Sequence, residues 1–140
     1  MTRKFALAAL GILIQTGCAT TPVSGDAAKP VPPERLFDSE MTKEAVGRSS
    51  LTVVRDSGLM GAACAAKFFL DGKHIAALRP KEQVRLYVVP GEYIAGVRSP
   101  GGICGGGTDQ TSFVVKPDRS AALRIAWGQA GDLKIEPSAF

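Results

Sequence analysis

The sequence is poor in the residues that most chemistry needs. One histidine, His74, and three cysteines, Cys18, Cys64 and Cys104, are its whole stock of imidazole and thiol metal ligands. No Cys-x-x-Cys pair occurs, so neither a zinc site nor a thioredoxin-like redox motif is supported. The Gly-x-Ser-x-Gly pattern of a nucleophile elbow is missing. The glycine-rich stretch 101–107 lacks the Gly-Lys-Ser/Thr ending of a P-loop and the strand–helix setting of a dinucleotide site. There is no internal repeat, no long amphipathic helical pattern, and no dense basic stripe of the kind that marks a nucleic-acid binder. Nor is any apolar run close to the roughly 20 residues that a membrane-spanning helix requires. These absences argue against an enzyme, a cofactor, a bound metal and a nucleic-acid partner.

What is present begins at the N-terminus. Thr2, Arg3 and Lys4 are polar and basic, Phe5 to Ile14 carries no polar side chain, and Gln15, Thr16 and Gly17 lead to Cys18. A basic segment, a short apolar segment and small residues before a cut site form the secretory pattern. Thr16-Gly17-Cys18, followed by Ala19-Thr20-Thr21-Pro22, resembles the lipobox of bacterial lipoproteins, with Gln15 standing where an aliphatic residue is usual. The resemblance implies that residues 1–17 are removed and that Cys18 carries the lipid. It also implies, through Ala19 in place of Asp, sorting to the outer membrane. The alternative is a secreted protein whose cysteine is incidental. Acyl chains bury at about 0.8 kcal/mol per CH₂, and stable anchoring takes more than one chain. Loss of Arg3 and Lys4 lowers the formal charge from +4 by two, to +2.

With Cys18 committed to lipid, Cys64 and Cys104 remain for an oxidising compartment, where two cysteines in a small domain usually pair. A bridge between them is expected, with a redox-active pair or a metal site as the alternatives.

Residues 18–48 are rich in small residues and prolines up to Pro33 and read as a lipidated cysteine followed by a flexible tether. Pro33 to Phe37 suits one helical turn, with proline at an early position and Leu36 and Phe37 free to dock. From residue 49 to 140 the character is that of strands. Apolar runs flank Asp71-Gly72, the strongest short-range hairpin signal. Gln83 to Val89 is closed by Pro90-Gly91, a pair that suits a type II turn. Further strands fall at Leu51–Arg55, Tyr93–Val97, Ser112–Val115, Ala121–Ala126 and Leu133–Glu136. Seven to eight short strands with a turn about every ten residues predict an all-β antiparallel sandwich. Membrane-barrel strands would need about 9–11 residues each. Alternation assigns Val53, Phe69, Leu86, Val88, Ile94, Val114, Leu123, Ile125 and Trp127 to the core, and turns Arg85 and Arg124 outward.

Phe68 to Leu78 around the Asp-Gly hairpin, with Leu86 to Tyr93 ending in Pro-Gly-Glu-Tyr, is similar to small β-sandwich lipoproteins of unknown function. The similarity implies a scaffold and brings no catalytic residues. Gly101, Gly102, Ile103, Gly105, Gly106 and Gly107 surround Cys104 and read either as a loop shaped by the bridge or as a partner-binding loop. Lys67, Lys73, Arg79, Lys81, Arg85 and Arg98 form either a solvated face or a patch for anionic headgroups or peptidoglycan. The expected function is an envelope lipoprotein, facing the periplasm, that binds a protein or a cell-wall component. An inhibitor or immunity-like module working through the glycine-rich loop is the second reading, and a hydrolase using His74 the third.

Overall fold

The computed structural model describes residues 20–139. The stretch 1–17, read above as a secretory signal, and Cys18, read as the lipidation site, lie outside the described residues. Among the described residues the chain is all-β, built as two facing sheets from nine strands. These are β1 (Lys29–Pro30), β2 (Ser49–Arg55), β3 (Ala66–Leu70), β4 (Lys73–Leu78), β5 (Glu82–Val88), β6 (Gly91–Arg98), β7 (Thr108–Val115), β8 (Ala121–Trp127) and β9 (Leu133–Pro137). One sheet has the order β1-β5-β2-β8-β9 and the other β4-β3-β6-β7. Most neighbours are antiparallel, but β1 with β5 and β2 with β8 run parallel.

Three connections are hairpins. In the first, Asp71 (φ 47°) and Gly72 (φ 78°) both adopt positive φ, as a type I′ turn demands. Asp71 Oδ1 also accepts from Ile94 N at 2.8 Å, tying this turn to the neighbouring strand. The other hairpins are β6–β7 and β8–β9. Pro90-Gly91 is not a hairpin turn: β5 and β6 belong to different sheets, and Gly91 begins β6 without a positive φ. The pair carries the chain across the sandwich instead.

The core contains Val53, Leu86, Val88, Leu123, Ile125 and Trp127, as alternation predicts. Phe69, Ile94 and Val114 point away from it. In β3 the inward residues are Ala66, Phe68 and Leu70, in β6 Ala95 and Val97, and in β7 Phe113 and Val115. Each of these strands carries at least one large apolar residue on either face, so its apolar positions alone do not choose a phase. The choice is made by cross-strand partners: Phe68 sits opposite Val97, and Leu70 opposite Ala95.

The span read as a flexible tether is docked over its described part. Thr21 and Ser57 form a bridge, with Thr21 N donating to Ser57 O at 2.9 Å and Ser57 N to Thr21 O at 3.1 Å. Val23 and Ala28 are buried on the outward side of β2 against Val54, closing a small second cluster. Lys29 N and Val31 N then donate to Lys81 O and Gln83 O, adding β1 to the sheet edge. After the turn at Pro33–Arg35, Phe37 N reaches Ile75 O on the other sheet. Arg35 grips Glu82 with two 2.6 Å hydrogen bonds. Two unpaired sheet edges and the apolar Val54 give these small residues and prolines somewhere to bind; composition alone carries no such information.

Candidate binding surfaces

The end of the sandwich where β2 and β8 finish and β3 begins is organised around one buried cation. Arg55, the last residue of β2, is only 2% exposed. Nη1 donates to Cys64 O and to Leu78 O (2.7 Å), and Nη2 donates to Gly61 O (2.7 Å). The guanidinium lies 4.8 Å from the centre of the Trp127 ring. Burial lowers its pKa to about 10, with the Glu82 carboxylate acting in the opposite sense, so the group stays charged at neutral pH. A fork of donors meeting fixed carbonyls is the task guanidinium performs and ammonium does not. The segment 57–64 is thereby held to β2, β4 and β8 at once. Gly61 (φ 66°) is required there, because a Cβ would stand 2.6–2.9 Å from atoms of the Trp127 indole.

Cys64 is joined to Cys104 across a separation of 40 residues, with their Cα atoms 5.8 Å apart. The bridge pins the β6–β7 connection to the 57–64 segment. Within that connection Gly102–Cys104 makes a single 3-10 turn, entered at Gly101 (φ 88°) and left at Gly105 (φ 73°). The Ser99 hydroxyl is buried beneath it, 2.8 Å from Cys104 O and 2.7 Å from Gly105 O. Gly107 O accepts from Ser99 N, closing the base of the loop. The result is a rigid tip: Ile103 stands completely exposed, flanked by exposed Gly102, Gly105 and Gly106. Leu59 (87% exposed) and Met60 lie across the same shallow depression, whose walls include Cys64, Cys104 and Trp127. Leu59 and Met60 were not singled out from the sequence, although an apolar pair inside a Ser-Gly…Gly turn is the signal that marks them.

A second surface is the outward face of the β4-β3-β6-β7 sheet. His74 is not the free surface residue that its place after the hairpin suggests. Its ring is packed between Phe37 (centroids 4.2 Å apart) and Phe69 (4.8 Å), and its Nε2 is enclosed without a partner. Burial, followed by the nearby Lys67 charge, pushes its pKa down, against a weaker pull upward from the Ala76 backbone. Arg98 covers the other side of Phe69, with Cζ 5.2 Å from the ring centre. The Phe37–His74–Phe69–Arg98 stack borders a groove over Gly96, lined also by Ile94, Asp109 and Gln110. Lys67 and Arg98 are register partners on this face. Lys73 instead pairs with Asp38 at 2.6 Å, and Arg85 is solvent-exposed on the other sheet, so the six basic residues do not form one patch.

Arg124 faces outward, as alternation predicts, and reaches Asp56 at 2.6 Å. Burial raises the Asp56 pKa despite that contact. Among the described residues no three His, Cys, Asp or Glu side chains converge on a point where a metal ion would sit. No protein-family model matches the chain, and no curated protein sequence matches it at a significant level.

Proposed function

We propose that the protein is a membrane-anchored lipoprotein of the bacterial envelope, lipidated at Cys18, with a non-enzymatic binding domain facing the periplasm from the outer membrane. Two features together carry this reading: Cys18 follows a basic and then an apolar run that resembles an export segment, and the domain behind it joins its two other cysteines. A disulfide in a small domain suits the oxidising compartment to which such a segment leads. The non-enzymatic reading is supported by His74, whose ring is packed between two phenylalanines with no carboxylate orienting it. The partner is an envelope protein or a cell-wall component, and the groove beside Phe69 and Arg98 is the face offered to it. A concave surface with an aromatic wall and a few polar groups is the usual form of a recognition site.

Mass spectrometry of protein taken from native membranes tests the anchor. No peptide preceding Cys18 should be found, and Cys18 should carry a diacylglyceryl-type mass; an intact segment 1–17 would overturn the reading. Crosslinking in the same membranes should retrieve a stable envelope partner, and Phe69→Ser should lose it.

The second reading, an inhibitor or immunity-like module acting through Gly101–Gly107, is favoured by one observation, the full exposure of Ile103 on a rigid tip. Under that reading, replacing Ile103 abolishes inhibition of an exported enzyme while thermal stability survives.

A further inference from the structure

We infer that the apolar end formed by Leu59, Met60 and Ile103 inserts into the phospholipid bilayer that holds the acylated Cys18, so that the domain sits directly on the membrane instead of hanging from a tether. The inference rests on the lipidation proposed above and adds an orientation to it.

The first observation is the placement of Thr20 and Thr21. Thr20 lies against Gly58, since a Cβ on Gly58 would come within 3.1 Å of Thr20 Cγ2 and 3.5 Å of Thr20 Cα. Thr21 is bridged to Ser57. Cys18 precedes Thr20 by two residues, a reach of at most about 7 Å at 3.3–3.6 Å per residue. The lipid is therefore held beside the segment that carries Leu59 and Met60, and no flexible spacer remains to lift the domain away.

The second observation is the chemistry of that end. Leu59 and Ile103 are 87% and 100% exposed, Met60 is 39% exposed, and the three share one depression at the mouth of the disulfide. A clustered apolar patch on a small domain marks an interface with protein or membrane. Here the anchor's position selects the membrane.

The third is charge. Lys81 is tied to this end through its N–H on Arg55 O, and Arg79 lies beside it on the same connection; both are exposed, as is Arg98 at the finish of β6. Of the acidic residues nearby, Asp56 and Glu82 are paired with Arg124 and Arg35, Asp109 accepts from Ile135 N, and Asp132 stands on the β8–β9 turn. An apolar tip with cations around it matches a bilayer containing anionic headgroups. Seated so, the groove beside Phe69 faces sideways into the periplasm, while the Gly101–Gly107 loop is occupied by lipid.

The test uses the full lipidated protein in vesicles of phosphatidylethanolamine and phosphatidylglycerol whose acyl chains carry bromine, a short-range quencher. Leu59→Trp and Ile103→Trp are compared with Val46→Trp, a fully exposed position just before β2, at the opposite end of the sandwich. β2 spans seven residues, which places that control roughly 20 Å away at about 3.3 Å per residue. Relative to the parent protein, the emission added at positions 59 and 103 should be mostly quenched and that added at 46 untouched. Equal, weak quenching at all three positions overturns the seating, including the case in which the tip contacts another protein. Mass analysis of the same sample separates the two failures. An unacylated Cys18 defeats the lipidation reading, whereas an acylated Cys18 with unquenched reporters defeats only the inserted tip.

Discussion

The guanidinium of Arg55 lies 4.8 Å from the centre of the Trp127 ring, and both side chains are closed off from solvent. This pair joins the ends of two parallel neighbours, β2 and β8, and roofs them with the 57–64 segment. Arg55→Leu keeps the apolar volume but takes the guanidinium donors from Cys64 O and Leu78 O, while Gly61 O keeps the N–H of Cys64. Each stranded polar group costs about 1–3 kcal/mol. Loss of roughly 3 kcal/mol or more is expected, read as a fall in melting temperature beyond about ten degrees at roughly 4–8 °C per kcal/mol. Arg55→Lys should recover little of it, because an ammonium cannot span the three acceptors. Circular dichroism melts check the loss, and a red shift of Trp127 emission reports the opened end.

The Cys64–Cys104 bridge closes a loop of 40 residues. In the chain-entropy model such a closure stabilises by roughly 4 kcal/mol. Reduction, or the double replacement of both cysteines by serine, should lower the melting temperature by well over about ten degrees. An unchanged melt would mean the bridge adds nothing to the fold.

Gly61 and Gly102 differ in a way a melt can resolve. Both have positive φ, but a Cβ at Gly61 collides with the indole of Trp127, whereas nothing lies within 4 Å of one at Gly102. Gly102→Ala should cost about 1 kcal/mol from backbone strain alone. Gly61→Ala adds overpacking of about 1–3 kcal/mol and should also shift Trp127 emission. Equal losses at the two positions would contradict the packing.

His74 makes stability depend on pH. Its folded pKa lies below the ordinary value of 6.5, chiefly because its ring is buried between Phe37 and Phe69, with Lys67 adding repulsion. The unfolded chain therefore binds the proton more readily, and stability falls as pH drops below about 6.5. Carboxylates act lower: Asp38 and Glu82, both depressed, contribute stability that is lost near and below pH 4. Melting temperature should decline between pH 7 and 5 in the parent, and His74→Phe should flatten that part of the curve. A decline unchanged by the substitution would assign it to other groups.

Several features were legible because they are decided within a few residues or by counting. Asp71-Gly72 forms its hairpin through local φ preferences, and Pro33 opens a helical turn for the same reason. Alternation in β5 and β8 is clean, so Leu86, Val88, Leu123 and Ile125 fall on the core face. The expected pairing of Cys64 with Cys104 is present. Alternation misleads where a large apolar residue also stands on the outward face of a strand: Phe69 in β3, Ile94 in β6 and Val114 in β7 point away from the core. Turn chemistry misleads at Pro90-Gly91, since turn residues reverse or redirect a chain without saying whether the flanking strands pair.

The candidate surfaces divide in the same manner. Sequence marked Gly101–Gly107 as a loop and Cys64 and Cys104 as its staple. It did not bring Leu59 and Met60 to Ile103, place Phe37 on His74, or dock residues 20–37 along two sheet edges.

By itself, the order of amino acids determined the all-β class and the Asp71-Gly72 hairpin, because each depends on local backbone preference or composition. The tertiary structure alone decided that Arg55 is enclosed, that Val54 is covered by Val23 and Ala28, and that Thr20 lies beside the apolar end. Those outcomes depend on groups distant in the chain meeting, and burial has a sign only after the neighbour is known.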